Sequence, residues 1–355
     1  MRIISISSGT MYIYFAMFSG IIMLLKKNLA ICWELFYIKI NNKYKGQLAG
    51  NLEILRDFTQ EFSLSHNKTN QLGYYLAGLI EADGSIIVPK EKSKNTPTIS
   101  ISFNNIDRPL ALCIKDRIGF GYLENIESRN ALRLIIRGRF NIIKLVTLIN
   151  GKFRTPKIEK LHDLINYINN IWLIFKEKLI LLPLNTESLA NNNWLAGFSD
   201  GDACFNINIT WPDNCKNVYG QIRLTFEIVQ SRMDLVHLEK YKEFMNTLSG
   251  FLQSKLEIHY ISKYDRSGKQ KAWRARISNK KGTLVIVNYF DKYSLFSSKY
   301  LNYNDWRSVH NMLDIKKEHI GENKLDVYKK VKDIKNRMNK KRLVYNWDHL
   351  NNFYI

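Results

Sequence analysis

The chain has few cysteines, few acids for its length and no apolar run long enough to cross a bilayer. Its four cysteines, Cys32, Cys113, Cys204 and Cys215, form no CxxC pair. That excludes a small disulfide-stapled domain and leaves reduced thiols as the expectation. Only 32 acidic residues stand against 53 lysines and arginines, a net charge of +21. So large an excess points to nucleic acid or an anionic membrane surface as partner. The apolar stretch "MYIYFAMFSGIIMLL" (Met11–Leu25) is 15 uncharged residues, whereas a membrane-spanning helix needs about 20. A secretory signal would bring a charged start and a small-residue cleavage site, and only Arg2 answers to that. Hydrophobic content is 45% over 355 residues, which excludes wholesale disorder and suits roughly two domains of about 150 residues each. Ile, Asn, Lys, Tyr and Phe, whose codons are A/T-rich, crowd the chain and hint at an organelle genome.

One phrase is written twice. "YYLAGLIEADGSI" begins at Tyr74 and "NWLAGFSDGDACF" at Asn193. Each copy places an Ala-Gly pair inside an apolar run and follows it with two acids one residue apart. After each copy the same order recurs. Around the first, a helix ends at Gly84, the glycine expected to close it, and "SIIVPK" and the alternating "TISISFN" follow as strands. Next come the helical "RPLALCIKDRIG", a hairpin turning near Ser128–Asn130, and a helix from Asn141 to the region of Asn169. Around the second, "CFNINIT" and "QIRLTFEIVQ" alternate, "DLVHLEKYKEFMNTLSG" is helical, and a hairpin has Asp265–Lys269 at its tip. The predicted class is α+β, with two pseudo-symmetric αββαββα halves. The boundaries expected are 1–66 for a leader and connector, 67–168 for the first half, 169–192 for a linker containing Pro183, and 193–318 for the second half. Residues 319–355 read as a basic C-terminal extension, its Lys324–Lys341 stretch a solvated flanking helix.

The repeat has a chemical reading. Ala77–Gly78 and Ala196–Gly197 remove side-chain bulk, so two helices can approach along their backbones. Leu76, Leu79, Ile80, Leu195 and Phe198 supply apolar surface on other faces. Packed so, the helices bring Asp83 and Asp202 together at their C-terminal ends, where two carboxylates repel each other and the helix dipoles. Divalent cations relieve that repulsion, and hard oxygen ligands suit Mg²⁺. Such ions serve phosphodiester hydrolysis.

With these residues in place, the sequence resembles the LAGLIDADG homing endonucleases in their single-chain, two-motif form, from about Asn70 to Tyr303. The resemblance implies saddle-shaped antiparallel sheets astride the DNA major groove and two central packed helices. It also implies Mg²⁺-dependent cutting of both strands of a long double-stranded DNA site by a monomer, with two or three divalent ions between the halves. Asp83 and Asp202 become the catalytic, metal-binding acids, with Glu81 and Asp200 in the supporting acidic position. The carbonyls of Ala82 and Gly201 become backbone metal ligands. Gln230 matches a polar position near the metal, for which the first half offers Phe103. Lys157 and Lys299, aligned with each other, become the basic catalytic residues. The second motif departs from the pattern at Ser199 and at Ala203, the latter a source of strain if the helix ends left-handed.

Arg133, Arg137 and Arg139 in "RLIIRGR", Asn206 and Asn208 in "CFNINIT", Arg223, and Arg274 and Arg276 in "KAWRARIS" are the candidates for contacting DNA. Some relatives within this resemblance are maturases that assist splicing of their own group I intron RNA, and that remains the alternative, beside a non-cutting DNA-binding module. The apolar leader reads as membrane-inserting, as a signal, or as an in-frame upstream exon, "MYIYFAMFSG" loosely resembling a cytochrome oxidase core subunit. The expected home is the mitochondrion, with the chloroplast second.

Overall fold

A computed structural model of the chain describes residues 70–354 except 91–92, 173–177, 213–219, 232–234, 262–269 and 316–323. The leader, including Met11–Leu25, and the hairpin tip Asp265–Lys269 lie outside the described residues. All that is described belongs to one unit, Leu64–Ile355.

The first repeat opens with a helix over 70–83 (α1). Then come β1 (Gly84–Ile87), β2 (Thr98–Asn104), α2 (Arg108–Ile118), β3 (Tyr122–Ile126), β4 (Ala131–Ile136), α3 (Arg139–Ile149) and α4 (Ile158–Tyr167). The second repeats the plan with α5 (Trp194–Asp202), β5 (Ala203–Thr210), β6 (Gln221–Ser231), α6 (Leu235–Phe251), β7 (Leu256–Ile261), β8 (Gln270–Ile277), α7 (Lys280–Lys292) and α8 (Lys299–Ile315). A last helix, α9, spans Lys324–Asn336. Each repeat forms a four-stranded antiparallel sheet, in the orders β1-β2-β4-β3 and β5-β6-β8-β7.

Period-two alternation sets the faces of both sheets. In β2 and β4, Ile99, Ile101, Phe103, Leu132, Leu134 and Ile136 are buried. Their neighbours Ser102 and Arg133 pair across the opposite, wet face. In the second sheet Phe205, Phe226, Trp273, Ala275 and Ile277 are buried. Asn206, Asn208, Arg223, Arg274 and Arg276 alternate with them and take the other face.

Several expectations are corrected. Gly84 does not close α1; it opens β1, and glycine is needed because a Cβ there would lie 2.6 Å from the Cα and carbonyl oxygen of Ile80. Ala203 carries no strain, since it is extended at φ −84°, ψ 156° and begins β5. Arg139 has left the strand: it is the first residue of α3, and its guanidinium stacks over Trp172 at 5.7 Å. The helix expected to run from Asn141 breaks at Asn150 and resumes at Ile158. Nor is the C-terminal helix merely solvated: Val327, Tyr328, Val331 and Ile334 are buried on one face of α9. The side chain of Asn339, just beyond it, donates to the carbonyl of Phe205 on edge strand β5 (3.0 Å). Covering a sheet edge in this way removes an open template for strand addition.

Candidate active site between the paired helices

The site is built on the contact of α1 with α5, which the glycines make possible. A Cβ on Gly78 would lie 2.0 Å from the carbonyl oxygen of Trp194, and a Cβ on Gly197 2.0 Å from that of Tyr75. The two positions are equivalent in the repeats, so the contact is reciprocal. Around it Leu76, Leu79, Ile80, Leu195 and Phe198 are all buried, and that apolar area favours the pairing.

The first acid of each motif fastens the helix pair. Glu81 accepts from the backbone N–H groups of Arg154 (3.0 Å) and Thr155 (2.5 Å). It also accepts from the indole Nε1 of Trp194 on the other helix (2.7 Å). Asp200 mirrors this. It accepts from the N–H groups of Phe296 (2.8 Å) and Ser297 (3.1 Å) and from the hydroxyl of Tyr75 (2.7 Å). Tyr75 and Trp194 are equivalent residues of the repeat, so each helix sends an aromatic donor to the other's acid. Burial pushes the Glu81 carboxyl up to about 7, against the pull of these N–H donors.

Each acid thereby also holds a loop that delivers a lysine. Lys157 Nζ donates to the carbonyls of Ile80 (3.0 Å), Glu81 (2.7 Å) and Gly84 (3.0 Å). Lys299 Nζ donates to those of Ser199 (3.2 Å) and Gly201. The last carbonyls of a helix lack intrahelical partners and carry its negative dipole end, so a lysine there is favoured twice over.

The second acids sit at this same end. Asp83 keeps one edge open to solvent, and its Oδ2 lies 3.0 Å from where a Cβ on Gly201 would be. It therefore abuts the last turn of α5. Burial pushes its carboxyl up to about 6; the charge of Asp202 adds to this, and those of Lys299 and Lys157 oppose it. Burial also raises Asp202, against a 2.5 Å hydrogen bond from Gln230 Nε2 and the same two lysines. Phe103, at the position in β2 equivalent to Gln230, is buried in the core and gives Asp83 no such donor. Two carboxylates raised by burial, beside helix-end carbonyls, form a donor set that fits a hard divalent cation. The Gly201 carbonyl is shared with Lys299.

The remaining sequence candidates lie on the sheets, except Arg137, which follows the end of β4 at Ile136. Arg133 is exposed on the wet face, and Arg137 Nε donates to Thr98 (3.1 Å). Asn208 donates to Thr225 (3.1 Å) and Arg223 to Gln221 (2.9 Å). Asn206 donates weakly to Cys204 Sγ at 3.3 Å. Arg274 pairs with Glu257, its NH2 at 2.5 Å, and Arg276 with Glu227 at 3.7 Å. Sequence reasoning missed Tyr75 and Trp194, although two large aromatics at one repeat position were a signal. It also missed Asp107, which accepts from the N–H of Ser298 (2.6 Å) and whose charge further raises Asp83.

Comparison with known proteins finds relatives of this chain. The family model described as "LAGLIDADG endonuclease" matches residues 76–168 and 195–310. A 37.2 kDa cox1 intron-2 protein of Schizosaccharomyces pombe is 35% identical over 274 residues, 76% of this chain and 74% of its own length. The intron-encoded DNA endonuclease aI3 of Saccharomyces cerevisiae is 26% identical over 329 residues, 86% of this chain and 78% of its own. Among solved structures, the I-LtrWI LAGLIDADG homing endonuclease bound to target DNA is similar in fold. Its TM-score is 0.55 at 21% identity, covering 78% of this chain and all of that one. With the model matched over both motifs, and the motifs' acids meeting at the paired helix ends, the chain belongs to the LAGLIDADG endonuclease family.

Proposed function

We propose that this protein is a monomeric, site-specific endonuclease that cuts both strands of a DNA duplex with Mg²⁺ held between Asp83 and Asp202. The observation that carries the reading is the meeting of these two acids at the ends of α1 and α5, each directly before the first strand of its own sheet. The halves, about 67–168 and 193–318, would each lay the polar face of one sheet along half of the target. The fungal mitochondrial introns of the relatives support a mitochondrial home.

Asp83 and Asp202 would hold the metal through their carboxylate oxygens, with the carbonyls of Ala82 and Gly201 beside them. When bound, the metal supplies Lewis-acid stabilisation of the phosphate and makes a bound water more acidic. Gln230 fixes the orientation of Asp202. Lys157 and Lys299 keep a positive charge beside the acids, where negative charge builds up on the phosphate. Arg133, Asn206, Asn208, Arg223, Arg274 and Arg276 face the duplex and supply phosphate and base-edge contacts.

The test is to incubate the full chain with a duplex carrying the joined exons of its host gene, in Mg²⁺ and in EDTA. Cutting of both strands in Mg²⁺ alone is expected. A duplex bound but never cut, or binding of the intron RNA alone, would overturn the reading.

A further inference from the structure

The two lysine loops are tied down from outside the region that matches the family model, and by different parts of the chain. In the first half the tie is the segment between the repeats. Asn185 N–H donates to the carbonyl of Phe153 (2.7 Å), and Arg154 NH1 donates to the carbonyl of Glu187 (2.7 Å). The Tyr74 hydroxyl, at the start of the first motif, donates to Glu187 Oε2 (2.7 Å). In the second half the tie is the end of the chain. His349 Nε2 donates to the carbonyl of Phe296 (3.0 Å), the residue equivalent to Arg154. Asn193, which occupies the place of Tyr74 in the second motif, donates from Nδ2 to the hydroxyl of Tyr354.

Aromatic packing reinforces the second tie. Phe353 meets the ring of Phe296 edge-on at 4.8 Å, and His349 stacks on Tyr300 at 4.1 Å. Phe353 and Tyr354 also reach Tyr75 on α1, at 5.8 and 5.7 Å. Tyr354 stands at φ 47°, a backbone conformation tyrosine rarely adopts, so its place is imposed by these contacts.

We infer that the C-terminal segment around His349 and Tyr354 is a positioning strap for Lys299, the counterpart of the Asn185–Glu187 strap that serves Lys157. The inference rests on the proposed endonuclease function. Each strap acts on one lysine, so loosening one unbalances the two cuts, whereas general destabilisation would slow both. His349 and Tyr354 touch neither acid; they hold the Phe296–Lys299 loop whose lysine lies beside the acids.

The experiment uses the full chain, supercoiled plasmid bearing the target, and strand-specific cleavage rates. A His349→Ala/Tyr354→Phe double variant is expected to cut one strand roughly tenfold more slowly, within the range a small misplacement costs, and to accumulate nicked circles. Tyr74→Phe is expected to retard the other strand instead. Target affinity stays within about twofold of wild type, because neither strap carries a DNA-facing residue. Hydrogen exchange at Phe296–Lys299, measured without DNA, should quicken in the double variant alone. Equal slowing of both strands, or unchanged rates, would overturn the strap. A wild-type protein that never cuts would remove the endonuclease reading. The strap is then decided by exchange, where unchanged protection of the loop overturns it.

Discussion

Gly78 lies so close to the second helix that a Cβ on it would be 2.0 Å from the carbonyl oxygen of Trp194. The obstacle is backbone, which has no rotamer by which to withdraw, so Gly78→Ala must push α1 and α5 apart. Overpacking of this kind costs about 3 kcal/mol, and Gly197→Ala, facing the Tyr75 carbonyl, should cost a similar amount. Urea denaturation measures it. Cleavage should fall as well, since the two acids separate with the helices.

Asp83 links stability to pH with a definite sign. Its folded pKa of about 6 lies above the ordinary 3.8, so the fold binds the protonated form better than the unfolded chain does. Metal-free protein should therefore gain stability as pH falls through 6 and have the full gain below about 4. Asp83→Asn should melt higher than wild type at pH 7.5 in EDTA, with the difference shrinking towards pH 4. Magnesium affinity should fall over the same interval, because protons compete for the carboxylate. Differential scanning calorimetry and metal titration at several pH values check both.

Gln230 donates to Asp202, and nothing equivalent reaches Asp83 from Phe103. Gln230→Leu removes a hydrogen bond to a charged group, worth roughly 2 kcal/mol or about thirtyfold. The acidic limb of the cleavage profile should move to higher pH as the Asp202 carboxyl rises further. An unmoved pH profile would mean that the amide does not govern this acid.

Arg274 and Arg276 stand on the wet face of β8, opposite Trp273, Ala275 and Ile277. Arg274→Ala should weaken target binding by about 1–3 kcal/mol if it reads a base, and relax selectivity at one position only. If it meets a phosphate, binding should weaken uniformly and the salt slope fall by about one. Binding titrations across salt and single-base variants of the target separate the two.

The repeated motif made the helix pair and its acids legible, because small residues and acids at fixed spacing have local meaning. Alternation gave the sheets' faces as far as Arg274 and Arg276. Arg139 was misplaced because "RLIIRGR" continues the alternation past Gly138, where the backbone turns into α3. The roles of Trp194 and Tyr75 lie in hydrogen bonds to Glu81 and Asp200, more than a hundred positions away in sequence. No local pattern announces such a bond. Nor does "NWDHLNNFY" show a periodicity that would dock it beneath Tyr75 and Phe296, since tertiary packing alone selects its conformation.

The central claim is that Asp83 and Asp202 form one composite centre that cuts both strands of a duplex. The most direct measurement is strand-resolved cleavage of the target in Mg²⁺ by wild type, Asp83→Asn and Asp202→Asn, with binding followed in parallel. Each variant should bind as wild type does and lose cleavage by roughly 10³-fold, the several kcal/mol that a metal contributes to the transition state. If either variant cut both strands at the wild-type rate, the shared centre would be contradicted.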